Sequence, residues 1–197
     1  KMGLLTVFPG LHNLLPGKAL AAQQAAPAKE GGIIASARHA VAATQHGKVR
    51  GYSRNGIYTY KGIPYGATTA GAGRFRPPAP PPPWTGIRDC LVYGPICPQQ
   101  TNTGWLMEEY GFLYQWVDGF QSEDCLRLNI WTTGINDGRR KPVLVWLHGG
   151  GFFSGSSQEH PSYDGEALSR LGDVVVVSIN HRLNIFGFLE LSGFDKS

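Results

Sequence analysis

Val143-Leu144-Val145-Trp146-Leu147-His148-Gly149-Gly150-Gly151-Phe152-Phe153 decides how this chain is read. The apolar run that begins it predicts a strand buried on both faces, the usual state of a strand inside a parallel sheet. Three glycines follow at once, and each carries an entropic cost that a bare backbone must offset by bending sharply or approaching something closely. Ligands of parallel sheets bind at the carboxyl ends of the strands. The triplet therefore predicts a backbone-donor site for an oxygen anion, with glycine N–H groups turned inward. A purely structural bend is the competing reading.

Working outward, Ser154-Gly155-Ser156-Ser157 continues an irregular loop, and a short helix is expected over 166–171, with Asp164 as a cap and Gly172-Asp173 as its end. Val174 to Ile179 then reads as a second fully buried strand. Strand, glycine loop, helix and strand make one crossover unit of an α/β protein. Upstream, Leu126, Leu128 and Ile130 alternate with Arg127 and Asn129, the pattern of a half-buried strand ending at Trp131. Nearer the start, Asn55-Gly56 separates Lys48–Tyr52 from Ile57–Tyr60 and predicts an antiparallel hairpin. Alanine-rich 35–44 reads as helix by propensity. The prolines at 77, 78 and 80–83 force an extended path that Trp84 anchors.

The chain has 197 residues, 42% of them hydrophobic, enough for one core. No apolar run is long enough for a membrane span. Residues 1–34 read as a flexible leader, because the apolar patch at 4–8 is broken too early for a secretion signal. Residues 35–197 read as part of a single domain. Net charge is +4, with eleven Lys and Arg against the single Glu30 in residues 1–88 and seven against thirteen acids in the rest. The basic residues are scattered singly and no nucleic-acid-binding spacing accompanies them, so a nucleic-acid partner is not expected. Cys90, Cys97 and Cys125 lack metal-ligand spacing, and no cofactor is expected. Their spacing admits one disulfide with a free thiol or three reduced cysteines.

The glycines fit no nucleotide-binding pattern. His148 has no orienting acid at fixed spacing and reads as a structural histidine of the glycine loop rather than a base. Ser154, Ser156 and Ser157 lack a G-x-S-x-G setting, and no such setting occurs anywhere in the chain. Between Cys97 and Cys125 lies a stretch with Trp105, Tyr110, Phe112, Tyr114, Trp116 and Phe120, whose aromatic density suits a pocket wall.

Several of these pieces together resemble the N-terminal part of a type-B carboxylesterase, the cholinesterase-like branch of the α/β-hydrolases. They are Gly62-Ile63-Pro64-Tyr65, Arg74-Phe75-Arg76-Pro77-Pro78, Ser122-Glu123-Asp124-Cys125-Leu126 running on to Trp131, His148-Gly149-Gly150-Gly151-Phe152, and Asn180-His181-Arg182-Leu183 with Phe186-Gly187-Phe188-Leu189. Their order and spacing both agree, over about residues 42–189.

The resemblance implies the N-terminal part of an α/β-hydrolase fold, a small antiparallel sheet leading into a mostly parallel central sheet, completed by residues beyond Ser197. It moves 35–44 toward strand. It implies that Gly150 and Gly151 supply two of three oxyanion-hole amides, the third following a nucleophilic serine, with the whole Ser-His-acid triad beyond Ser197. It further implies a Cys97–Cys125 disulfide with Cys90 unpaired, an Arg74–Glu123 ion pair, and a secreted or periplasmic protein. The implied partners are a small carboxylic ester, apolar or aromatic, and the C-terminal remainder, continuous or as a separate chain. His181 stands where the family usually has tyrosine, and Asn184 where glycine is common. The rival expectation is a family member without a working triad, a binding or adhesion protein.

Overall fold

Two positions that tolerate or require unusual backbone decide how the first half of the chain is cut into strands. The structure, a computed structural model, describes residues 31–100, 119–190 and 193. The first thirty residues of the expected leader, and most of the aromatic stretch after Cys97, lie outside the described residues. Ile34, within the expected leader, exchanges two backbone hydrogen bonds with Ser53, at 2.8 and 3.0 Å.

At Asn55 and Gly56 the chain takes φ of 52° and 79°, the pair of left-handed residues that a two-residue type I′ hairpin turn needs. The expected hairpin forms between β3 (Tyr52–Arg54) and β4 (Ile57–Pro64). At Gly51 the anticipated single strand is broken. A side chain there would sit 2.1 Å from the Thr59 carbonyl oxygen, so the bare backbone lies against β4. Residues before it form β2 (Gly47–Arg50), which joins a different sheet. That small sheet has the order β1-β2-β5, with β1 (Val41–Thr44) antiparallel to β2 and β5 (Ile87–Asp89) parallel to it. The helix that propensity suggests over 35–44 is absent; its last residues are β1.

The larger sheet has the order β3-β4-β6-β8-β7, with β6 at Arg127–Thr132, β7 at Val143–Leu147 and β8 at Val175–Ile179. Of its four pairings only β7 with β8 is parallel. The expectation of a mostly parallel central sheet is thus corrected: the larger sheet is mostly antiparallel. A parallel pair needs a crossover, and one helical crossover is all this sheet contains, through α1 (Glu166–Gly172). Asp164 accepts from the Glu166 amide at 2.9 Å, and Asp173 ends the helix in the left-handed region at φ 48°.

The core is apolar where strands meet the crossover. Ile57, Trp131 and Val176 are buried together, and Gly165 lies so close that a Cβ on it would be 2.7 Å from Val176. Ala40, Val49, Tyr60, Ile63 and Cys90 form a second cluster between the two sheets. Buried Glu166 ties the hairpin to the helix, accepting from Arg54 Nε at 2.7 Å and Asn55 Nδ2 at 2.8 Å.

β7 departs from its expected burial. Every residue in it is exposed, from 39% at Leu144 to 63% at Leu147, because it is the edge strand of the described sheet. Leu168 and Leu171 of α1 are exposed as well, while the polar Glu166 and Ser169 of that helix are buried. An apolar edge strand of this kind is a pairing surface by its chemistry.

Candidate active site

β7 delivers its chain directly into the glycine loop. Gly150 has φ 119°, Gly151 φ 60° and Phe152 φ 70°, so the backbone runs through the left-handed half of conformational space for three residues. A Cβ on Gly150 would lie 1.9 Å from the Ser154 carbonyl oxygen, which explains why that position is bare. Gly151 faces open space, and there the positive φ alone favours glycine.

The Gly149 and Gly150 carbonyls are both hydrogen-bonded, and that sets where the two following amides point. His148 Nδ1 meets the Gly149 oxygen at 2.7 Å, and since a carbonyl only accepts, the ring is the Nδ1–H tautomer. The Gly150 oxygen accepts from Phe153 N at 3.1 Å and Ser154 N at 3.2 Å. A peptide plane is rigid, so the Gly150 N–H points away from the Gly149 oxygen and the Gly151 N–H away from the Gly150 oxygen. Neither amide donates to an acceptor among the described residues.

His148 is 8% exposed, and its Nε2 is buried with no hydrogen-bond partner among the described residues. Burial pushes its pKa below the ordinary value, with His181 close by acting in the same direction. The residue at 181, a tyrosine in the family pattern, stacks its ring on that of His148 and donates from Nδ1 to the Arg182 carbonyl at 3.0 Å. Among the described residues, no carboxylate hydrogen-bonds to either ring.

Beside the loop opens a cavity of about 630 Å³ whose walls include Tyr65, Leu126, Leu147, Gly151, Phe152 and Phe188. Phe152 and Phe188 pack at 4.7 Å between ring centroids. The Tyr65 hydroxyl donates to the Asn180 carbonyl at 2.5 Å, and burial pushes its pKa up to about 12.

The loop serines have structural work. Ser156 and Ser157 are each 1% exposed. Ser157 gives its amide to Asn180 Oδ1 at 2.7 Å, and its hydroxyl accepts from Asn129 Nδ2 at 3.0 Å. Asn129 also donates to Ser178, and Asn180 to the Pro95 carbonyl, both at 3.0 Å. This buried network pins the far end of the glycine loop to β6 and β8; Asn129, on the polar side of the expected alternation, is 2% exposed while Leu128 and Ile130 are half-buried, so the pattern of apolar residues does not reveal it.

Arg74 and Glu123 are joined as the resemblance implies, Arg74 Nε donating to Glu123 Oε2 at 2.7 Å with a second, guanidinium contact to Oε1. Hydrogen bonding to Arg74 holds the Glu123 carboxyl below its ordinary value. Cys97 and Cys125 are free thiols buried in one cluster, and their proximity lowers the pKa of Cys97 and raises that of Cys125. Cys90 lies apart from them in another cluster, its thiol pushed up to about 11 by burial. Among the described residues, no group of three or more His, Cys, Asp or Glu side chains is placed to hold a metal ion, and no helix is long and apolar enough to cross a membrane.

Asn184 explains one departure from the family pattern. Its φ is 46°, a conformation glycine adopts freely and asparagine better than other side chains. Its amide donates to the Phe152 carbonyl at 2.7 Å, so it holds the glycine loop from the other side.

Comparison with known proteins places the chain in a family. The model of the carboxylesterase family matches residues 38–196. The chain is 42% identical over 159 residues to para-nitrobenzyl esterase of Bacillus subtilis, covering 81% of this chain and 31% of that protein. It is 40% identical over 151 residues to phenmedipham hydrolase of Pseudarthrobacter oxydans, covering 76% and 29%. Among solved structures, an esterase from the anaerobe Clostridium hathewayi, described as able to hydrolyse aliphatic aromatic polyesters, superposes with a TM-score of 0.75 at 41% identity, over 84% of this chain and 32% of that one. The chain therefore spans less than a third of the length of these relatives.

Proposed function

The chain belongs to the carboxylesterase family, and from that premise we propose that it is the oxyanion-binding part of a serine carboxylic-ester hydrolase. The observation that carries the proposal is the pair of consecutive amides, Gly150 and Gly151, whose directions are set by satisfied carbonyls and which donate to nothing among the described residues. Two adjacent donors at the end of a strand suit an oxygen that becomes negative during reaction.

In the proposed reaction a serine hydroxyl attacks the ester carbonyl while a histidine takes its proton. The carbonyl oxygen becomes an oxyanion, held by Gly150 N–H, Gly151 N–H and a third amide next to the serine. The histidine returns the proton to the departing alkoxide, and water then cleaves the acyl-enzyme by the same steps. Each donor aimed at the oxyanion contributes about 3 kcal/mol to the transition state.

The serine, histidine and acid are assigned to a C-terminal complement, continuous with this chain or associated with it. Residues 1–197 hold no G-x-S-x-G, and the exposed apolar edge of β7 offers a place for a further strand. The substrate class proposed is an apolar or aromatic ester; the para-nitrobenzyl and aromatic polyester substrates in the descriptions of the relatives support it. We also assign the protein to a secreted or periplasmic setting, where the neighbouring Cys97 and Cys125 thiols lose two protons and two electrons to the compartment's oxidant and form a disulfide.

Hydrolysis of short-chain aryl esters by the complemented protein, with its mass measured on the active material, tests the proposal. Turnover is expected. A complement containing the whole triad that turns over no ester overturns it, and a complement with no serine at the elbow points to a binding scaffold instead.

A further inference from the structure

We infer that Gln99 is a positioning residue for the oxyanion amides, acting through Gly155. The inference rests on the oxyanion reading of Gly150 and Gly151 given above and adds the residue that keeps those amides in place.

Cys97-Pro98-Gln99 lies behind the glycine loop and grips it at both ends. Cys97 Sγ accepts from the Leu183 amide at 3.0 Å, and the Pro98 carbonyl accepts from Asn184 Nδ2 at 2.8 Å. Asn184 in turn donates its amide to the Phe152 carbonyl, on the near side of the loop. Gln99 takes the far side with a two-bond ring: its Nε2 donates to the Gly155 carbonyl at 3.0 Å, and its Oε1 accepts from the Gly155 amide at 2.7 Å. Gln99 is itself held, donating its backbone amide to Gln121 Oε1 at 2.9 Å and its Nε2 also to the Cys97 carbonyl at 3.1 Å.

Gly155 matters because of what it lies against. It has φ 105°, and a Cβ on it would be 2.4 Å from the Gly149 oxygen and 2.5 Å from His148 Nδ1. Its backbone thus closes over the same hydrogen bond that fixes the Gly149 carbonyl, and by peptide planarity that carbonyl fixes the direction of the Gly150 N–H. A glutamine suits the position because one amide side chain supplies both a donor and an acceptor. Release of Gly155 frees the His148–Gly149 contact to rotate, and a donor displaced by an ångström from the developing charge costs about a hundredfold in rate.

The test uses the complemented protein, with active sites counted by the burst of a slowly deacylating aryl ester. Gln99→Met keeps the length of the side chain and removes both bonds. The expected result is a fall in kcat per active site of about tenfold to a hundredfold, KM within about twofold, and a matching loss of affinity for an aryl boronic acid that mimics the tetrahedral species. Gln99→Glu keeps the acceptor for the Gly155 amide and is expected to lose less; it decides the matter if the methionine variant yields no folded protein. Asp173→Asn, which loosens the distant contacts of Asp173 with Thr133, Arg139 and Lys141, controls for general destabilisation and leaves kcat per active site unchanged. The inference is overturned by a Gln99 variant with kcat within twofold of the unsubstituted protein, or by an equal loss in Asp173→Asn. Absence of any ester turnover in the unsubstituted protein overturns the oxyanion reading itself, a result distinct from the first.

Discussion

The imidazole of His148 lies flat on that of His181, with ring centroids 4.4 Å apart and planes within 3° of parallel. Two neutral rings stack in this way at little cost, whereas two imidazolium ions repel each other directly. His148 cannot shed a proton's charge to solvent, since it is buried and its Nε2 has no acceptor among the described residues.

A pH dependence follows from its lowered pKa. Above the ordinary value of 6.5 both folded and unfolded His148 are neutral and nothing is lost. Below it the unfolded chain takes up a proton that the folded chain refuses, so stability falls as pH drops through the window beneath 6.5. Melting temperature measured across that window should therefore decline less steeply in His148→Gln than in the unsubstituted protein. His181→Phe, which removes the facing charge but keeps the stack, is expected to lie between them. Identical slopes in all three would show that His148 does not titrate with folding.

The three loop glycines are not equivalent. A methyl on Gly149 meets nothing within 4 Å, so Gly149→Ala is expected to keep kcat within about threefold. Gly151→Ala places a side chain at φ 60°, and relief of that strain turns the 151 amide away from the oxyanion, lowering kcat about a hundredfold with KM little changed. Gly150→Ala drives a methyl into the Ser154 carbonyl, and thermal stability is expected to fall along with turnover. Steady-state kinetics on the three variants separates these outcomes; equal turnover in Gly149→Ala and Gly151→Ala contradicts the assignment of the donor.

Much of this site was legible in the residues themselves, and what was missed has a common cause. Asn55-Gly56 and Gly150-Gly151 specify backbone that few other residues adopt, so turn and loop could be placed without neighbours. The apolar run of β7 reads as doubly buried, yet burial is a property of what lies on either side, and in the described sheet one side of β7 is empty. Strand direction depends likewise on how the chain returns: in the larger sheet β6 and β8 meet antiparallel, and the helical crossover between β7 and β8 makes its one parallel pair. Gln99 and Asn180 act through long-range hydrogen bonds with sequence separations of 23 to 85 residues, where no periodicity marks them, and Asn129 sits on the polar side of the β6 alternation yet is buried by its bonds to Ser157 and Ser178.

Cys97 and Cys125 are buried in one cluster, and Cys90 lies in another; the proposed exported setting makes the first two a disulfide. Protein recovered from an oxidising compartment, alkylated in denaturant without reduction and mapped by peptide mass, should carry the label at Cys90 alone. Cys97 and Cys125 should take it only after reduction. Label at all three positions without reduction would remove the disulfide and weaken the assignment of an exported protein.

The most direct measurement is a crystal structure of the complemented protein inactivated by an aryl phosphonate, whose phosphoryl oxygen occupies the place of the oxyanion. The account predicts that oxygen at about 2.7–3.1 Å from the backbone nitrogens of both Gly150 and Gly151. A phosphoryl oxygen held by other groups, with those two amides turned away from it, would contradict the account.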